Sequence, residues 1–411
     1  MSDPAPFPSR ISHAEALAIV RTLGVARATG AQDVSLARAH GHVLAADLVA
    51  GIAQPPFDNS AMDGYALRHV DLVPDGITRL RLVGEQFAGR AQPFLVGAGE
   101  CVRITTGAPL PSGTDTVAMK EDARVDGDKV DVLVAPAAGR HVRLAGEDCV
   151  PGDLLLRAGE VLTPARVALA ASQGVPTLQV ARRPTVAVFT TGDELVEPGL
   201  PLAPGQIHNS NRELLMGLLR AEGLEPVAWP TLPDDPEQVE SALRHAGHAF
   251  DLVLTCGAVS VGEKDHIPAL LQAEARIAFW KVRMKPGMPV LLAEGGGLGE
   301  ALFLCLPGNP VSVLATWLTL GRPLVDAMQG RTAARPRWRA RLATPWHKGH
   351  ERLEFLRGRL GQGADGVPEV EPSPADGSHR MRAAADADVL LVLNEGARDY
   401  PAGAFVDVLP C

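Results

Sequence analysis

The chain has 411 residues, 46% of them hydrophobic and 21% charged. That length exceeds what one hydrophobic core organises, so two to four domains are expected and disorder across most of the chain is excluded. A formal net charge of -9 excludes the broad basic face of a general nucleic-acid binder, so any anionic ligand has to be met locally.

The N-terminus, MSDPAPFPSR, lacks an apolar signal core, and no run of about 20 apolar residues occurs, so neither a signal peptide nor a membrane span is expected. Ser12, with Glu15 three residues on, opens a helical pattern over residues 12–28, and residues 40–52 read as an extended segment. Short β-like runs between glycine and proline turns (LRLVGEQF, TDTVAMK, KVDVLVA) fill residues 79–135. Residues 161–180 turn helical again, with Thr163 before Pro164 as cap and first-turn proline, so the β-rich block reads as an insertion.

From Pro184 to Leu324 apolar strands (TVAVFTT, PVAWPTL, DLVLTCG, IAFWKVRM, PVLLAE, ALFLCLPG) alternate with helices. The expected helices begin near Asn211, Pro236, His266 and Pro310. This is the pattern of a doubly wound, mostly parallel α/β sheet, whose ligands gather beyond the carboxyl ends of the strands. After Gly330 short alternating runs predict a small C-terminal β-barrel. The expected domains are residues 1–54 with 149–182 (helical and extended), 55–148 (inserted and β-rich), 183–330 (α/β) and 331–411 (barrel). The five cysteines are scattered, without a CxxC pair or zinc-like spacing, which points to a reducing compartment and hence the cytoplasm.

Six loops carry the chemistry. In LPGNP, Pro307 and Gly308 make a turn and Asn309 can cap the helix that holds Pro310 and Ser312, leaving backbone N–H groups for an oxyanion. TTGDEL sets Asp193 and Glu194 after Thr191 and the Gly192 turn, as oxygen ligands for a hard cation. Asp234 and Asp235 in PDDP follow another strand end and are either ligands or a helix cap. SVGEKD offers Ser260, the flexible Gly262 and Asp265, while Lys281 and Lys285 in KVRMKPG are placed for an oxyanion. PPFDNSAMDGYAL concentrates Asp58, Asn59, Ser60 and Asp63 in one loop. Each of these loops also has a plain structural reading as a solvated or capped turn.

These loops, in this order and from about residue 8 to the C-terminus, resemble the molybdopterin molybdenumtransferase family, which comprises the MoeA proteins and the gephyrin E domain. The resemblance implies insertion of molybdenum from molybdate into adenylylated molybdopterin, with Mg²⁺-dependent release of AMP. It implies catalytic roles for Asp58, Thr106 in TTGAP, Glu194, Asp235, Asp265, Lys281 and Lys285. Cofactor binding is implied for Arg143 and Asp148 in RLAGED, Thr191, Gly192, Ser260, Gly262, Pro307, Gly308, Asn309, Pro310, Ser312, Arg352 and Ser378. Metal binding is implied for Asp193, Glu194, Asp234 and Asp265.

It further implies a homodimer in which the FDNSAMDGYA region of one subunit completes the other's site, and contact with a molybdopterin adenylyltransferase and molybdoenzyme-maturation proteins. The chain departs from the family pattern at Ala258, where a glycine is usual, at Met288, which replaces a lysine, and at His379 and Ala383, where serines are common. Two alternative functions are an adenylyltransferase-type activity of the α/β domain and a non-catalytic, gephyrin-like scaffold.

Overall fold

A computed structural model describes residues 7–259 and 266–411. The chain forms two compact units. One comprises the residues up to Ala46 with Ala158–Val167 and Pro176–Cys411, and the other Asp47–Arg157 with Ala168–Val175.

The first unit is built on a seven-stranded sheet of β1 (Ser9–Ile11), β2 (Val186–Thr190), β3 (Val227–Ala228), β4 (Leu252–Cys256), β5 (Arg276–Val282), β6 (Leu291–Glu294) and β7 (Leu302–Leu306). Its strand order is β1-β5-β6-β7-β4-β2-β3, and β6 alone runs against its neighbours. Every residue of β2, β4 and β7 is buried, as the uninterrupted apolar runs require of strands covered on both faces. One cluster around Leu254, Leu304 and Trp317 fills one face and a second around Phe189, Val253 and Phe303 the other.

The N-terminal segment joins this unit directly, since β1 extends the sheet edge in parallel with β5. Ser12 and Glu15 form the expected capping box at the start of the His13–Ala26 helix, with Glu15 N–H donating to Ser12 Oγ at 3.2 Å and Ser12 N–H to Glu15 Oε2 at 2.7 Å. That helix lies against Arg322–Met328, where Gly24 leaves no room for a side chain: a Cβ would stand 2.5 Å from Ala327 Cβ.

The helical reading of residues 161–180 holds for Pro164–Ser172, but Thr177–Ala181 is a strand paired antiparallel with Ala31–Ser35. Alternating burial along LQVA, not helical spacing, governs that stretch. The helix after LPGNP runs past Leu320 to Met328 through a π-helical turn at Trp317–Gly321. Pro323, which lacks an N–H, follows that widened turn, where the ordinary ladder is already interrupted.

Trp338–Leu342, Leu353–Gln362, Pro368–Pro372, Val389–Leu393 and Phe405–Pro410 close into a five-stranded barrel, since the first and last strands of the series pair with each other. A sixth strand, Met284–Lys285, comes from the KPG loop and pairs in parallel with Leu353–Glu354.

The second unit holds a six-stranded, mainly antiparallel sheet formed by Gly64–Leu67, Thr78–Gln86, Glu100–Ile104, Thr116–Met119, Ala123–Asp126 and Lys129–Val132. Tyr65, Leu67, Leu80, Cys101 and Val130 pack its core.

His13 makes stability depend on pH. Burial, aided by the Arg337 charge and opposed by a hydrogen bond with the Thr319 backbone, lowers its pKa from 6.5 to about 4, and its ring packs on Phe355 at 5.2 Å. The unfolded chain therefore takes up a proton that the folded chain refuses. The resulting stability is complete above about pH 6.5 and is lost as pH falls toward 4, by at most ~3 kcal/mol. Urea titrations from pH 7 to 4.5 are expected to show a smaller loss in His13→Leu than in the wild-type chain.

Candidate functional site

The register of the sheet assembles the site. Thr190, Cys256 and Leu306 are aligned neighbours at the ends of β2, β4 and β7, so the next residues, Thr191, Gly257 and Pro307, leave one edge together. β5 also ends there, and Lys281 lies in its last turn of chain before Val282. A cleft of about 300 Å³ opens at this edge, lined by Thr191, Gly192, Glu194, Asp234, Pro307, Gly308 and Pro310 among the expected residues.

Backbone contacts hold the TTGDEL loop open. Thr191 N–H donates to Cys256 O at 3.2 Å, and Gly192 N–H to Leu232 O at 3.2 Å. Gly192 has φ +142°, and a Cβ there would meet the Glu194 carboxylate at 2.4 Å. Glycine is therefore required for Glu194 to fold back over its own turn. Asp193 and Glu194 are both exposed, and Asp193 Oδ1 accepts the Asp234 N–H at 3.1 Å, so the TTGDEL and PDDP loops are tied together.

Asp235 takes the capping role. Its Oδ1 accepts from Glu237 N–H at 3.0 Å and Gln238 N–H at 3.1 Å, and these bonds to Gln238 and Glu237 hold its carboxyl below the usual range. Asn309 occupies the N-cap position before Pro310–Thr316 without a side-chain capping bond. One first-turn N–H of that helix, from Val311, instead donates to the Ser378 carbonyl at 3.2 Å. Ser312 is buried in the helix, and its carbonyl accepts Thr316 Oγ1 at 2.6 Å.

The two lysines part company. Lys281 has φ +71°, and its ammonium sits 4.7 Å from the centroid of the Trp280 ring, in no ion pair among the described residues. Lys285, expected at an oxyanion, bonds Glu354 at 3.0 Å and Asp376 at 3.1 Å. Burial opposes its charge, but those two carboxylates outweigh burial and raise its pKa. Arg352 reaches toward the Met284 carbonyl at 3.5 Å. Met288 is exposed beside this loop. Ser260, Gly262 and Asp265 lie outside the described residues.

Asp58, Thr106, Arg143 and Asp148 belong to the second unit, where three motifs are laced together. Asp58 Oδ1 accepts Ala145 N–H at 2.7 Å, Ser60 N–H donates to Ala108 O at 3.0 Å, and Arg143 pairs in register with Asn59. Thr106 gives both its N–H and its hydroxyl to Asp63 Oδ1, at 2.8 and 2.9 Å. Asp148 N–H donates to Gln54 O at 2.9 Å.

One wall of the cleft escaped the sequence reading: His208, Asn209, Ser210 and Asn211. Asn209 is fully buried, donating to Thr190 Oγ1 at 2.7 Å and Thr231 Oγ1 at 3.0 Å and accepting Arg212 N–H at 3.3 Å as helix cap. Thr231 passes the network to Glu197, which forms a two-pronged pair with Arg212. The signal was the Asn-Ser-Asn run before a helical pattern, a capping sequence. Among the described residues Thr191 Oγ1 and Asn211 Oδ1, from the lining of this cleft, are buried oxygen acceptors without a hydrogen-bond partner.

Two outcomes are expected here. Asn209→Ala removes a cap and the amide donor to the Thr190 and Thr231 hydroxyls, of which Thr231 keeps Glu197 as partner, so it should cost about 2 kcal/mol in chemical denaturation. Ala258, at φ +47°, holds a left-handed backbone that glycine adopts without strain, so Ala258→Gly should raise the unfolding free energy in chemical denaturation by roughly 0.5 kcal/mol.

Known proteins resemble the chain along nearly its whole length. Residues 11–174 match a family model described as MoeA N-terminal region (domain I and II). Residues 187–327 match a probable molybdopterin binding domain, and 339–411 the MoeA C-terminal region (domain IV). A molybdopterin molybdenumtransferase of Haemophilus influenzae is 37% identical over 93% of this chain and 94% of its own length. Molybdopterin molybdenumtransferase 2 of Mycobacterium tuberculosis is 36% identical over 91% of this chain and 94% of its own. A crystal structure of the molybdopterin biosynthesis MoeA protein from Pyrococcus horikoshii superposes with TM-score 0.84 at 27% identity, covering 98% of this chain and all of that one.

Proposed function

The chain belongs to the MoeA family, and from that premise we infer that it is a molybdopterin molybdenumtransferase of molybdenum cofactor biosynthesis, transferring molybdenum from molybdate to adenylylated molybdopterin with release of AMP. The observation that carries this reading is the alignment of three strand ends, which delivers carboxylates, unpartnered oxygen acceptors and proline-glycine turns to one cleft.

The cleft fits Mg²⁺. Among the described residues no three His, Cys, Asp or Glu side chains converge to cage an ion. Mg²⁺ on a nucleotide needs no such cage, because it is commonly held by one or two carboxylates with water and phosphate oxygens completing the shell. The carboxylates on the lining are Glu194, which is exposed, and Asp234, which is half-buried, and Asp193 orients Asp234 through its backbone. Mg²⁺ held there would offset phosphate charge as the bond to AMP breaks.

The chain's own residues bind and orient. Gly192, Gly257 and Gly308 keep the cleft floor low enough for a ligand to approach backbone, with Gly257 at φ +97° only 3.0 Å, measured from a notional Cβ, from the Thr191 carbonyl. Asn209 and the Glu197–Arg212 pair hold the opposite wall. Lys281, free of carboxylate partners among the described residues, supplies the uncompensated positive charge at the β5 edge.

A homodimer, supply of the nucleotide substrate by an adenylyltransferase and a cytoplasmic setting belong to the same reading. Four buried free thiols, at Cys101, Cys149, Cys256 and Cys305, suit a reducing compartment. No helix of the described residues is long and apolar enough to cross a membrane.

The test is AMP release from adenylylated molybdopterin by the full chain with molybdate and Mg²⁺, followed chromatographically. Release is expected to stop on chelation and to slow roughly a hundredfold in Glu194→Gln. A wild-type chain that releases no AMP above the uncatalysed rate would sink the assignment.

A further inference from the structure

The loop at residues 373–380 is held to the barrel and the KPG segment through an anion. Arg357, 2% exposed, donates to the Gly377 carbonyl at 3.2 Å and to the Ala375 carbonyl, which turns Asp376 toward Lys285. Asp376 Oδ2 then lies 3.1 Å from Lys285 Nζ. The other carboxylate on Lys285, Glu354, has a side chain 3% exposed and is fixed in the barrel strand, whereas the Asp376 side chain is 52% exposed on a loop.

The charges around this corner are unequal in permanence. Lys285 and Arg357 are positive, buried Glu354 is negative, and His350, 3.4 Å from Glu354, is pushed toward its neutral form by burial. Among Lys285, Arg357, Glu354 and Asp376 the charges cancel, and without Asp376 one positive charge of this set is left over. Asp376 is thus the replaceable anion: it is half in water, on irregular backbone, and its oxygens occupy the approach to an ammonium that the barrel holds in place. Lys285 and the Asp376 charge interaction with Arg357 keep its carboxyl ionised, below the ordinary range.

We propose that Asp376 is a built-in competitor at this corner, a carboxylate that stands in for a tetrahedral oxyanion and must leave Lys285 for that oxyanion to bind. The proposal deepens the transferase reading and rests on it for the identity of the oxyanion as molybdate. The shared chemistry also admits a phosphate group. The Ser378 carbonyl that accepts Val311 N–H belongs to the same loop.

The consequence is unusual for a residue at a binding corner: removing its charge should improve binding. Equilibrium dialysis of the full chain against molybdate, and separately against inorganic phosphate, reads this without turnover, so it is independent of AMP release. Asp376→Asn is expected to lower Kd about threefold to fivefold, the range for a partly exposed ion pair. Asp376→Ser, which shortens the side chain, should behave likewise. The gain should vanish in a Lys285→Gln background, and circular dichroism with thermal melting verifies that each variant is folded. A gain with molybdate, or with phosphate, supports the competitor role and names its ligand. Unchanged or weaker binding of both ions in both Asp376 variants overturns the proposal, as does a gain that survives loss of Lys285. Failure of wild-type AMP release alongside a binding gain would reject the transferase reading while leaving Asp376 as an anion competitor.

Discussion

The alignment of β2, β4 and β7 is the constraint on which the rest of the structure depends. These three strands are buried over every residue and paired in parallel with no slip, so their ends at Thr190, Cys256 and Leu306 are fixed to the same level. A one-residue shift would exchange the faces that fill the Leu254 and Phe303 clusters, at a cost in buried apolar area that no loop contact offsets. The loops that follow can therefore be irregular, glycine-rich and acidic without losing their mutual placement. Rigidity resides in the sheet and chemistry in its rim.

Charge at that rim divides between holding the structure and meeting a ligand. Asp235 is used up by the amide groups of Glu237 and Gln238. Glu197 is neutralised by Arg212, with Thr231 and Asn209 completing the network. Exposed Glu194 and half-buried Asp234, in contrast, stay on the cleft lining, and Thr191 Oγ1 and Asn211 Oδ1 stay unpartnered among the described residues. Buried acceptors without partners are costly in a packed protein. Their presence at the mouth of aligned strands marks the part of the molecule organised for something other than its own stability.

What the sequence revealed follows the range of the forces involved. The Ser12 capping box, the alternating β and α elements and the barrel runs depend on residues close in the chain, and their periodicity is visible in the letters. The six loops were recognisable because glycine and proline declare turns. Three features were not legible. The strand at Thr177–Ala181 needs Ala31–Ser35 as partner, about 145 residues away, and Leu178, Gln179 and Ala181 are good helix formers. The wall formed by His208, Asn209, Ser210 and Asn211 looks like an ordinary helix cap until Thr190 and Thr231 are brought beside it. The fate of Lys285 depends on Glu354 and Asp376, some 70 and 90 residues on, which no local pattern connects to it.

The four-residue step from Lys281 to Lys285 also explains how two architectures share one rim. Lys281 is the penultimate residue of a strand in the seven-stranded sheet, while Lys285 is hydrogen-bonded into the barrel through its pairing with Glu354. Gly287, at φ +104°, turns the chain back so that β6 can return antiparallel, and a side chain there would stand 2.4 Å from Thr316 Cγ2 in the helix after LPGNP. The KPG segment is thus pinned to the sheet, the barrel and the rim helix within seven residues. Arg357 and Lys285 add the barrel loop to the same knot by holding Ala375, Asp376 and Gly377. With so few free torsions between them, a change in what Lys285 binds must be taken up by the element with the weakest hold. That element is the 373–380 loop, whose side-chain anchor is half in water, and not Lys281, whose strand is hydrogen-bonded between β1 and β6.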